Sequence, residues 1–224
     1  MKIIARIYNG FESKFGVPRQ SLICPEIKSR IVFEKEYRNA DAIRGLEGFS
    51  HLWLIWQFSE FMDHKEALTV RPPRLGGNKR VGVFATRSPF RPNPIGLSSV
   101  RLESVILDKK DGPVLIVSGA DMMSGTPIYD IKPYISYSDS HPDATGGFTD
   151  DVKFEKLRIE AEDGVIIPSE IRGDIEAILS EDPRPQYHHD DERVYGISYS
   201  GYNIKFRVKD KILTIVSIES IGEL

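Results

Sequence analysis

The chain has 224 residues, a formal net charge of −3 at pH 7, 40% hydrophobic and 28% charged residues. That length suits one large domain or one domain with a small companion, and the apolar share is enough for a real core. No segment approaches the ~20 apolar residues that span a membrane. Met1-Lys2 runs directly into a strand pattern, so no signal peptide is visible. Cys24 is the only cysteine, which excludes an intramolecular disulfide and a cysteine-based zinc site. A cytoplasmic protein is the expectation.

In chain order, Lys2 to Tyr8 reads as a strand with Ile3, Ile4, Ile7 and Tyr8 available for a core. Asn9 to Pro18, broken by Gly10 and Gly16, is a long connection leading to Arg19 and Gln20. Ile31 to Phe33 predicts a second strand. Asn39 to Leu46 predicts a short helix capped by Asn39 and stopped at Gly45 or Gly48. His51 to Phe58 is the most apolar stretch, rich in aromatics and too short for a long buried helix. It is expected as a central strand with Trp53 and Trp56 in the core.

Residues 81–85, 97–107, 113–120 and 131–137 continue the strand pattern, and Lys109-Lys110-Asp111-Gly112 makes a hairpin turn. With no β-α-β alternation, the fold class is mainly β. An antiparallel β-barrel over residues 1–140 is followed by a small α+β domain over residues 150–224. A helix is expected to start near Pro168 or Ser169 and end near Ser180, with Ile171, Ile175, Ile178 and Leu179 on one face. Ile204 to Val208 and Ile212 to Ile218, joined by Lys209-Asp210-Lys211, form a hairpin.

Charge divides the chain. From Ala67 to Leu102 there is no Asp or Glu, while Arg71, Arg74, Lys79, Arg80, Arg87, Arg91 and Arg101 all fall in that window. From Ser138 to Glu192, sixteen acidic residues face five basic ones. An arginine-rich patch on a slightly acidic chain suits an anionic ligand, nucleic acid included. Pro89, Pro92 and Pro94 stiffen the connection that carries Arg87 and Arg91. It is either a pre-organised anion site or a proline-stiffened turn with two solvated arginines.

Several motifs are longer than composition explains: Arg71-Pro72-Pro73-Arg74-Leu75-Gly76-Gly77-Asn78, Gly82-Val83-Phe84-Ala85-Thr86-Arg87-Ser88 and Phe90-Arg91-Pro92-Asn93-Pro94-Ile95-Gly96. With Pro18-Arg19-Gln20, Phe49-Ser50-His51-Leu52-Trp53, Gly125-Thr126-Pro127, Asp130-Ile131-Lys132-Pro133-Tyr134 and Asp182-Pro183-Arg184-Pro185-Gln186-Tyr187, in the same order, the chain resembles the TrmO family. These are S-adenosylmethionine-dependent tRNA methyltransferases acting on N6 of threonylcarbamoyladenosine at position 37. The resemblance implies a β-barrel, a homodimer with each cofactor site near the subunit interface, and a tRNA partner. It also implies cofactor contacts from Pro18, Arg19, Gln20, Ser59, Glu60, Arg87, Leu97, Ser118, Gly119, Ala120 and Asp121.

The acceptor nitrogen belongs to a urea and is a poor nucleophile, so a general base would help. The sulfonium already activates the methyl group, so no metal is expected. On an extended strand Asp130, Lys132 and Tyr134 share a face. They are the catalytic candidates, with Asp130 as base, or else a structural ion pair beside a half-buried Tyr. Ser124 stands where many relatives have Asp, which turns attention away from that position. Arg91 and Lys132 are the candidates for the threonylcarbamoyl carboxylate, and Arg71, Arg74 and Arg184 for the RNA. His188-His189-Asp190-Asp191-Glu192 is either a metal ligand set or, by its consecutive spacing, a solvated loop. The alternative to an enzyme is a non-catalytic tRNA- or nucleotide-binding barrel.

Overall fold

The computed structural model describes residues 1–72, 75, 79–151, 155–184 and 190–222. The strands are β1 (Ala5–Tyr8), β2 (Lys28–Phe33), β3 (His51–Gln57), β4 (Thr69–Val70), β5 (Val81–Gly82), β6 (Ile95–Asp108), β7 (Gly112–Ser118) and β8 (Pro127–Pro133). Helix α1 (Ser136–Asp139) follows, then β9 (Arg158–Ala161), α2 (Arg172–Ser180), β10 (Tyr195–Tyr199), β11 (Tyr202–Lys209) and β12 (Ile212–Ser220).

Six strands close into a barrel in the order β1-β2-β7-β6-β3-β8, as expected of a mainly β chain without crossover helices. Every pairing within it is antiparallel. Alternation sends Ile7, Ile31, Leu52, Leu54, Val100, Leu115, Val117 and Ile128 inward, each almost fully buried. The 14-residue β6 makes closure possible. Its first half pairs with β3 and its second with β7, with a register shift between Leu102 and Ser104 where it bends.

A second layer stands on the four-stranded sheet β10-β11-β12-β9, with β9 parallel to β12 and α2 beside it. The apolar face of α2 buries Ile175, Ile178 and Leu179, and Ile171 just before it. The β11–β12 hairpin turns through Asp210 and Lys211 at φ of 48° and 66°, the left-handed pair of a tight hairpin turn. The connection between β1 and β2 joins the two cores. Its Phe11, Cys24 and Ile27 lie in the core of the second sheet, with Phe15, Val17 and Ile23 packed against it.

Four local expectations are corrected. The short helix of residues 39–46 is two 3-10 turns, Ala40–Ile43 and Leu46–Gly48, separated by Gly45 at φ 85°; the Asn39 cap is present and accepts from the Asp41 amide. Of the strand at 81–85 only Val81–Gly82 is extended. Val83–Ala85 is a 3-10 turn held by Thr86, whose amide and hydroxyl both donate to the Val83 carbonyl. The strand at 131–137 stops at Pro133, because the Ile135 amide and the Trp53 indole both donate to the Asp139 carboxylate and fold the chain into α1. Trp53 therefore faces outward, and only Trp56 enters the barrel core.

Candidate active site

Loop 18–22 lies on the turn that follows β7. The Leu22 amide donates to the Gly119 carbonyl at 2.8 Å, and the Gly119 amide to Ile27 at 3.1 Å. Gly119 sits at φ 75°, and a Cβ there would come within 2.6 Å of the Leu22 side chain and 3.1 Å of its backbone. Only glycine fits this crossing. The turn delivers Asp121 against β6, where Ser98 Oγ donates to its Oδ1 at 2.5 Å. Ser98 in turn accepts from the Trp56 indole at 2.9 Å. Desolvation raises the Asp121 pKa above the ordinary carboxylate range, opposed by the Ser98 hydrogen bond and the nearby Arg87 charge.

Gln20 and Arg87 meet directly, Arg87 Nη1 donating to Gln20 Oε1. Gln20, Arg87 and Asp121 thus form one polar cluster. Arg19 turns away from it, its Nη2 donating to the carbonyls of Asp182 and Arg184 at 2.6 and 3.2 Å. Pro18 is buried and lines, with Lys14, Arg19, Cys24, Ile178 and Pro183 among others, a cavity of about 90 Å³. Glu60 is linked to this corner through Lys14, whose ammonium lies 4.0 Å from the Phe61 ring centroid. Desolvation lowers the Lys14 pKa, against the Glu60 charge that raises it. Ser59 is exposed beside Glu60. Ser118 and Ala120 are buried, Ser118 Oγ donating to Glu103 at 2.7 Å and Ala120 packing in the barrel core. These two, like Gly119, have only main chain to offer a ligand.

The catalytic candidates occupy the outer wall. Ile55 of β3 is the register partner of both Leu97 in β6 and Asp130 in β8, and Trp53 of both Ser99 and Lys132. Strands ~4.8 Å apart place Leu97, Ile55 and Asp130 in one outward row across three strands. Asp130 Oδ2 pairs with Lys132 Nζ at 3.0 Å, and its Oδ1 accepts from the Ile131 amide at 2.9 Å. Both side chains are open to solvent, so the ion pair itself adds little stability. Tyr134, just past β8, packs its ring 5.7 Å from Trp53 and 6.2 Å from His51. The face expected for Asp130, Lys132 and Tyr134 is therefore real.

The RNA candidates separate. Arg71 is exposed beside β4, and Arg74 lies outside the described residues. Arg91 Nη1 donates to the Thr86 carbonyl at 3.0 Å. Arg184 is committed to Asp182, Nε to Oδ1 at 2.8 Å and Nη2 to Oδ2 at 2.9 Å, with only 16% of its side chain exposed. That bidentate pair fixes the turn gripped by Arg19 rather than presenting a free cation. His188 and His189 also lie outside the described residues, and among the described ones no group of three or more His, Cys, Asp and Glu forms a metal cluster. Sequence reasoning overlooked Ser98. Its signal was inward parity with Gly96 and Val100 on β6, a polar residue where a hydrophobic one is the rule.

A closed six-stranded barrel carrying a polar loop cluster and an outward acid–base row, with a second sheet clasped to its first connection, defines a two-part barrel protein. It is not a doubly wound nucleotide-binding sheet. The model of the tRNA-methyltransferase O N-terminal domain matches residues 6–140, and that of the TrmO C-terminal domain matches residues 153–221. The tRNA (adenine(37)-N6)-methyltransferase of Escherichia coli is 37% identical over 96% of each chain. A Pseudomonas aeruginosa protein named as an S-adenosylmethionine-dependent methyltransferase is 40% identical over 87% of this chain and 86% of its own. A crystal structure of TrmO from Pseudomonas aeruginosa superposes with a TM-score of 0.77 at 28% identity, over 98% of this chain and 97% of the other. The chain belongs to the tRNA-methyltransferase O family.

Proposed function

We propose that this protein transfers the methyl group of S-adenosylmethionine to N6 of adenosine 37 in tRNA, choosing adenosines that already carry threonylcarbamoyl, and that it works as a cytoplasmic homodimer. The observation that carries the reading is family membership along both halves of the chain, with a relative of matching length named tRNA (adenine(37)-N6)-methyltransferase; the threonylcarbamoyl preference and the dimer are part of the proposal. Relatives named as methyltransferases favour an enzyme over a binding module.

The residues fit the cofactor by their chemistry. S-adenosylmethionine bears a carboxylate, an ammonium and ribose hydroxyls. Arg87 supplies a cation, Asp121 a desolvated carboxyl, and Gln20 and the main chain of Gly119 neutral donors and acceptors. When bound, it supplies an electrophilic methyl group. This chain then has to orient the acceptor and remove its proton. Asp130, accessible on the outer wall, is assigned as the base, a role typically worth ~10²–10⁴-fold. Lys132, already 3.0 Å from it, holds the carboxylate in place and is within reach of a second anion. Tyr134 adds a phenol on the same face, its ring 5.7 Å from Trp53.

The test uses tRNA isolated from cells lacking the enzyme. Mass spectrometry of digested nucleosides should show N6-methylation after incubation with the protein and S-adenosylmethionine, and only on threonylcarbamoyl-bearing tRNA. Asp130→Asn should lower the rate at least ~100-fold with cofactor affinity retained. Methylation of unmodified tRNA at an equal rate would remove the carboxylate-selective part of the reading.

A further inference from the structure

Phe84 is 76% exposed, the most exposed phenylalanine among the described residues. The turn beneath it is well fixed. Val83 is buried, its amide donates to the Leu68 carbonyl at 3.0 Å, and the Val83 carbonyl accepts from both the amide and the hydroxyl of Thr86. Thr86 Oγ1 then accepts from the Ser88 amide, and the Thr86 carbonyl from Arg91. The ring is therefore held outward by a rigid turn, with little backbone entropy left to lose on binding. The Arg91 guanidinium lies 5.9 Å from its centroid, on the scale of a cation–π contact. Phe84 belongs to a sequence stretch, 67–102, without Asp or Glu, and Arg80 in the same stretch donates to Thr69 beside the β4–β5 ladder. Tyr137, also exposed, lacks this setting, since it stands in α1 beside Asp139.

Resting on the tRNA reading above, we propose that Phe84 is a stacking platform for an unpaired base of the substrate's anticodon loop. Single-stranded loops are recognised by splaying bases onto aromatic faces while arginines hold the phosphates. The charge setting favours RNA over a second copy of the chain. An arginine-bearing stretch without carboxylates complements phosphates, whereas a second copy of this slightly acidic chain is an outcome the mass measurement tests.

The full-length protein is compared with Phe84→Ala, Phe84→Leu and Phe84→Trp, measuring affinity for threonylcarbamoyl-bearing tRNA, S-adenosylmethionine affinity by calorimetry, and mass by sedimentation. Stacking predicts about ten- to hundredfold weaker tRNA binding for the Ala and Leu variants. The Trp variant should bind like the wild type, with cofactor affinity and mass unchanged in all. Wild-type tRNA affinity in Phe84→Ala overturns the inference, as does a Leu variant that binds normally. A lower mass for Phe84→Ala assigns the ring to a contact between copies and overturns it too. A wild-type chain that methylates tRNA while Phe84→Ala is indistinguishable from it sinks this inference alone; a wild-type chain that neither binds nor methylates tRNA sinks the function reading with it.

Discussion

Arg19 donates to the main-chain carbonyl of Asp182 at 2.6 Å, tying the loop that carries Gln20 to a turn of the second sheet's unit 163 residues later. Because Gln20 also contacts Arg87, the polar cluster is steadied from the far half of the chain. Cys24 reports on that tie. It is 2% exposed in the second core, and desolvation pushes its thiol up to about 12. At pH 8 roughly one thiol in ten thousand is thiolate, the reactive form. The native chain should therefore resist iodoacetamide for hours. Arg19→Ala should speed Cys24 labelling at least ~tenfold and weaken S-adenosylmethionine binding. Equal labelling rates in the two proteins would show that Arg19 does not hold the halves together.

Gly96 faces Trp56 across the β3–β6 pairing, and a Cβ at Gly96 would fall 2.1–2.6 Å from three atoms of the indole. The ring is fixed by its bond to Ser98 and has nowhere near to go. Gly96→Ala should cost about 1–3 kcal/mol of overpacking. For a chain of this size that lowers the melting temperature by several degrees. Tryptophan fluorescence should shift as the indole leaves Ser98. An unchanged melting curve would mean that the barrel wall yields more easily than its register implies.

Asp121 makes stability depend on pH. Its pKa is raised by desolvation, so the folded chain binds this proton more tightly than the unfolded one. The contribution is complete below the unfolded carboxylate pKa of about 3.9 and is lost as pH rises through the folded value. Asp121→Asn keeps an acceptor for Ser98 and removes the titration. Its melting temperature relative to wild type should rise as pH increases from about 4 and then level off. A difference that shrinks with rising pH would mean that the Arg87 charge outweighs desolvation.

Much of this was legible from local pattern. The barrel strands follow from period-2 alternation, and the shared face of Asp130, Lys132 and Tyr134 from the same rule. The Asp210-Lys211 turn sits where two alternating runs meet. Contacts between distant segments were not legible. Nothing in Phe11, Cys24 or Ile27 says that they belong to a core built by strands some 170–200 residues later. Arg184 reads as a cation between prolines until Asp182 is seen to hold both ends of its guanidinium. Trp53 and Trp56 look alike in sequence, and strand parity alone sends one outward to Asp139 and the other inward to Ser98.

The outer wall supplies the last prediction, on substrate selection. Threonylcarbamoyl adds a carboxylate that plain adenosine lacks, and Lys132 stands on the same outer face as the assigned base and pairs with it. A cation offered to that carboxylate gains charge-assisted hydrogen bonds of about 1.5–3 kcal/mol with modified tRNA. Unmodified tRNA leaves Lys132 paired with Asp130 and gains nothing. Lys132→Ala should then lower kcat/KM on modified tRNA by about 10–100-fold, while affinity for unmodified tRNA and for S-adenosylmethionine stays close to wild type. Because the exposed ion pair adds little to folding, the melting temperature should barely move. Arg91→Ala serves as the comparison, since its guanidinium is engaged with the Thr86 carbonyl and lies near the Phe84 ring. If Arg91→Ala narrows the gap between modified and unmodified tRNA and Lys132→Ala does not, the carboxylate is read on the arginine loop, and Lys132 serves only to hold Asp130.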